Sequence, residues 1–191
     1  MKEAGIECAG AYALRPGSAS QGHYSRKLKR TMGYDDCKEI YELDIPGHRK
    51  HDLERTSHAT ATLPLHEQVA KHLETDVGTL TALAERIAAD DLPEVYKNHE
   101  VVLANPDKQV VPLALFVDAV PYAANDSCLG WWCVSLLTGR RFLYGVQRKR
   151  YVCRCGCKGW CSYHPMLEFT SWSVRALAAG RMPDCRHNNE E

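Results

Sequence analysis

YVCRCGCKGWCSYHP, residues 151–165, decides how the rest of this chain is read. Cys153, Cys155, Cys157, Cys161 and His164 fall within twelve residues of one another there. A hydrophobic core has no use for soft ligands at that density, whereas a zinc ion does. In an extended strand, alternate positions point to the same side, so the CRCGC spacing turns three thiols towards one centre. Gly156 and Gly159 let the backbone fold around that centre. The preferred ligand set is drawn from Cys153, Cys155 or Cys157, Cys161 and His164. Cys185 and His187, beyond the next helix, are the distant alternative, and they would tie the tail back to the domain. With every candidate ligand a protein group, the expected role of Zn2+ is structural.

The flanks of this stretch are the best patterned parts of the chain. Upstream, 129–137 and 141–147 read as two strands joined by Thr138-Gly139-Arg140, a hairpin signal. Downstream, Met166, Phe169, Trp172, Val174, Leu177 and Ala178 fit one broad helix face, and Gly180 sits where a C-cap belongs. The metal segment is therefore an insertion clipping a sheet to a helix.

Earlier in the chain, 110–118 (VVPLALFVD) is apolar on both faces, the pattern of a central buried strand. Asp118 closes it, and an ionised carboxylate there calls for a partner or a metal. Leu65, Val69 and Leu73 are spaced as on a helix beginning near Pro64. A second helix, capped by Thr75 or Asp76, runs through Leu80, Leu83 and Ile87. Residues 100–103 suit a short edge strand. Pro46-Gly47 marks a turn, followed by a histidine-rich stretch in which His48 and His51 offer a weak second metal pair. His23 to Arg30 suggests a short basic helix, and 1–22 an irregular strip. The expected domains are an N-terminal arm with short helices, 1–60, and a sheet-and-helix domain, 61–191. The fold class is α+β or α/β, a single mixed sheet covered by helices.

The 191 residues carry 24 basic and 24 acidic side chains, so net charge gives no argument for nucleic acid. Distribution does: 127–167 contains no Asp or Glu, but it holds Arg140, Arg141, Arg148, Lys149, Arg150, Arg154 and Lys158. Five of the nine cysteines lie at 153–161 and 185, too bunched for a disulfide framework. The start of the chain leads into no continuous apolar stretch, and no run approaches the roughly 18 apolar residues of a membrane span. The expectation is an intracellular protein without a membrane partner, with the nucleus as the narrower location.

The order of a strand ending in Asp118, the hairpin LGWWCVSLLTGRRFLYGV, and a helix resembles the opening of the ribonuclease-H-like fold of transposases and integrases. VPLALFVDAVPYAANDSCLGWWCVSLLTGRR followed by CRCGCKGWCSYHP is similar to transposase-derived proteins of protist mobile elements, over roughly 101–180. The resemblance implies a DNA partner, a first catalytic carboxylate at Asp118, and Mg2+ if the chain is catalytic. None of Asp126, Glu168 and Asp184 occupies the family's second position, so it also implies an incomplete or inactive copy. Three functions follow: a zinc-containing DNA-binding domain, a zinc-stabilised protein-interaction module, or a metal-dependent nuclease using Asp118.

Overall fold

The computed structural model describes residues 41–49, 54–123 and 126–188. The expectations placed on residues 1–40 and on His51 lie outside them. In chain order the elements are β1 (Tyr41–His48), β2 (Arg55–Thr62), α1 (Leu65–Thr75), α2 (Val77–Ala88), two single turns α3 (Glu94–Lys97) and α4 (Glu100–Leu103), β3 (Leu113–Ala123), β4 (Asp126–Ser135), β5 (Arg141–Arg148), a 3-10 turn (Lys149–Tyr151) and α5 (Trp160–Ala179). The fold is α+β. Its five strands form one sheet in the order β1-β2-β5-β4-β3, and every pairing is antiparallel.

The sheet packs one face against α1 and α5. Leu43 and Ile45 from β1, Trp131 and Cys133 from β4, and Phe142 and Tyr144 from β5 meet Leu65 and Val69 of α1 and Met166 and Phe169 of α5. Each is nearly sealed from water, and a fully buried side chain of this size contributes roughly 1.5–3 kcal/mol. Burial also pushes the Cys133 thiol up to about 11, so it serves as a small hydrophobe.

The structure corrects the sequence reading at three places. The Pro46-Gly47 pair is not a turn: it lies inside β1, whose inward Tyr41, Leu43 and Ile45 alternate with exposed Glu42 and Asp44. Proline is tolerated there because β1 is the edge strand among those described. Its pairing with β2 places Tyr41–His48 and Arg55–Thr62 in the sheet, upstream of the expected boundary at residue 61. Residues 100–103 form the helical turn α4, with His99 accepting from the Val101 N–H, where an edge strand was expected. Third, β3 is not central. Among the described residues it pairs only with β4, at the sheet's end, and Leu115, Phe116, Val117 and Val120 remain 39–55 % exposed. The helices cover the β1–β5 end, so an apolar composition on both faces does not itself put a strand in the middle.

Candidate metal centre

β5 ends at Arg148, and the chain turns through Lys149–Tyr151 before the cysteine loop. Asp126, at the start of β4, organises this turn. Its carboxylate is 1 % exposed, pairs with the guanidiniums of Arg148 (3.1 Å) and Arg150, and accepts from the Ser127 and Arg150 backbone N–H groups. Tyr151 then stacks on His58 of β2 at 4.5 Å, and Val152 bridges to Gly47 of β1. Gly47 is required by that crossing, because a Cβ there would stand 2.1 Å from the Tyr151 carbonyl oxygen.

Buried and half-buried hydrogen bonds seat the loop itself. The Cys153 N–H donates to Ser162 Oγ at 2.8 Å, and that hydroxyl donates to the Pro46 carbonyl. The Arg154 N–H donates to His48 Nδ1 at 2.9 Å. Gln147 Nε2 donates to the Ser162 carbonyl while its Oε1 accepts from Trp131 Nε1. The loop closes through positive φ angles at Gly156 (92°), Lys158 (53°) and Gly159 (89°), the last opening α5. A Cβ at Gly159 would also press on Tyr163 and Val152.

These constraints bring Cys153, Cys155, Cys157 and Cys161 together, their four Sγ atoms all within 4.8 Å of one another. A tetrahedral zinc–thiolate centre with Zn–S bonds of about 2.3 Å needs sulfurs about 3.8 Å apart. The Cys155 and Cys161 Sγ atoms are 3.8 Å apart. That is far beyond a disulfide bond of about 2.05 Å, and the four cysteines are unpaired thiols. Four sulfur ligands at this spacing can bind a metal ion such as zinc.

The electrostatics agree with the geometry. The Cys161 N–H and neighbouring thiols hold Cys157 down at about 6. Cys161, hydrogen-bonded to Cys157, is pushed up to about 12, and burial raises Cys153. The first negative charge forms readily and then opposes the others, as like charges at this distance must. A dication relieves that opposition. Arg55, at the start of β2, lies with Nη2 4.0 Å from Cys161 Sγ and adds positive charge beside the sulfurs.

The remaining candidate ligands go elsewhere. His164 Nδ1 pairs with Glu168 at 3.1 Å, and its ring packs on Trp160. Cys185 engages through its carbonyl, which accepts from Trp172 Nε1. His187 meets the Tyr41 hydroxyl and rings of the core. His48 accepts a backbone N–H and shows no ligand partner among the described residues.

Asp118 lies in the middle of β3, opposite Gly130, with an exposed side chain. Water solvates it, so the partner expected for a buried carboxylate is unnecessary. Among the described residues it joins no group able to hold a metal, which leaves Mg2+ and nuclease chemistry without a geometric basis. The basic run divides into three. Arg140 and Arg141 stand at the hairpin end of β5, about 23 Å by strand length from its other end. Arg148 and Arg150 turn to Asp126. Lys149, Arg154 and Lys158 are exposed around the metal loop. Sequence reasoning missed Arg55 and Ser162, took Gly47 for a turn residue, and weighed Asp126 only as a catalytic carboxylate. Only Gly47 left a local signal, a glycine within an alternating pattern.

The chain matches no protein-family model, and no curated protein or solved structure matches it significantly.

Proposed function

We propose that this chain is a zinc-structured, transposase-like nucleic-acid-binding domain without a complete catalytic centre. The observation that carries the reading is the convergence of four thiol sulfurs within 4.8 Å in a loop whose exposed charges, Arg154 and Lys158, are both positive. Zinc would be held by Cys153, Cys155, Cys157 and Cys161, and would act by fixing the loop. The succession of β3, the β4–β5 hairpin and α5 supports a relation to the ribonuclease-H-like opening of mobile-element transposases. The edge position of β3 and the extra β1–β2 hairpin beyond β5 count against a standard version of that fold. The exposed state of Asp118 is the reason catalysis is left out.

Titration of the zinc-loaded chain with labelled DNA at several salt concentrations tests this. Three to five phosphate contacts predict a log–log salt slope of about −3 to −5 on duplex, or proportionately less on single strands. Absence of binding at low salt would refute the proposal. A second reading, a zinc-stabilised protein-interaction module, is favoured by the uncovered apolar side chains of β3. It predicts loss of a protein partner, with DNA binding absent, when Phe116 and Val117 are made polar.

A further inference from the structure

The exposed side of the metal loop carries an aromatic ring that the core does not use. Trp160, the first residue of α5, is 56 % exposed, although the chain's Trp131 is 4 % exposed. Its place is fixed from both sides. The Trp160 N–H donates to the Cys157 carbonyl at 3.0 Å, anchoring its backbone to the cysteine loop. Its ring packs on His164 at 5.5 Å, and Glu168 holds His164 in turn, so residues 160, 164 and 168 line one helix face. Exposing a large indole costs free energy in water, and nothing in the packing of the described residues demands it. Arg154, Lys158 and Arg55 are exposed on or beside the same loop.

We propose that this surface binds single-stranded nucleic acid, with the Trp160 indole as platform for one base and Arg55, Arg154 and Lys158 meeting the adjacent phosphates. The inference rests on the nucleic-acid reading above and narrows it. Base faces inside a duplex are already stacked on one another, so an exposed indole is of use mainly to an unpaired base. With equal numbers of acidic and basic side chains, the chain has no net charge to draw a duplex from a distance. Affinity must then come from a local combination of stacking and a few charges, which is the arrangement that suits a flexible single strand.

The test uses the full, zinc-loaded chain and fluorescence anisotropy of a labelled single strand of about 12 nucleotides, alongside the same sequence as duplex. Wild-type protein should prefer the single strand. Trp160→Ala should weaken that binding about tenfold and leave duplex binding nearly unchanged, while Trp160→Phe keeps most of the affinity. Arg154→Ala and Lys158→Ala should each flatten the single-strand salt slope by about 0.7. Zinc content is measured for every variant. If Trp160→Ala loses its metal, Trp160→Leu, which keeps bulk without a π face, decides instead. Duplex binding as tight as single-strand binding, with Trp160 variants at wild-type affinity, would overturn the stacking proposal and leave the broader reading standing. Binding to neither probe would overturn both.

Discussion

The metal loop and strand β3 are held in opposite ways. Both are conspicuous in sequence, one by its cysteines and the other by its apolar run. The loop is tied by buried, directional contacts: Gly47 against Tyr151, Ser162 between Cys153 and Pro46, His48 under Arg154, Asp126 between two arginines. β3 has one neighbour among the described strands and a half-exposed set of Leu, Phe and Val side chains. Ligand spacing is local, so sequence carries it. Burial depends on which elements arrive from elsewhere, so composition alone misplaces a strand.

The sharpest way to break this comparison is at Gly47. Gly47→Val puts a branched Cβ against a carbonyl oxygen and should cost about 2–3 kcal/mol, seen as a lower Tm in calorimetry together with weaker zinc retention. Stability lost with zinc affinity unchanged would mean that the loop does not depend on its crossing of β1. Asp126→Ala leaves two arginines without their carboxylate. Because both guanidiniums retain some access to water, the expected loss is about 2 kcal/mol in urea unfolding, below the roughly 3–5 kcal/mol of a fully buried pair.

A smaller effect concerns the core. His66 is buried, its backbone N–H donates to Ser173 Oγ, and its Nδ1 lies 2.8 Å from the same hydroxyl, beneath the edge of Trp172. Desolvation lowers its pKa below the usual value of 6.5. Above that pH neither the folded nor the unfolded chain protonates it. Below it the unfolded chain takes up the proton first, so stability declines as pH falls towards 5. Thermal melts across pH 5–8 should show this, and His66→Gln should flatten the profile. At the far end of the comparison, Val117→Thr on β3 should shift stability by about 0.5 kcal/mol or less. A shift of several kcal/mol there would mean that β3 is covered in solution.

Much of the framework was legible. Thr138-Gly139-Arg140 marked the β4–β5 hairpin, Leu65 and Val69 marked α1, and Gly180, at φ 64°, caps α5 as its type suggests. The four cysteines announced the candidate centre, but choosing among seven ligands required the fold. α5 begins at Trp160, and from there His164 faces Trp160 and Glu168. β1 was hidden because proline and glycine are turn formers except on an edge strand or at a close backbone crossing, and Pro46-Gly47 meets both exceptions. Asp126 and Arg55 could not be assigned locally, since the arginines that pair with Asp126 and the Cys161 beside Arg55 lie 22 or more residues away.

Metal content of the purified chain decides whether the four thiols hold an ion. Elemental analysis after gel filtration should find one zinc per chain, retained by wild type and lost in Cys155→Ser or Cys161→Ser, while His164→Ala, Cys185→Ser and His187→Ala keep it. A metal-free wild-type chain with these thiols fully reactive would contradict the account.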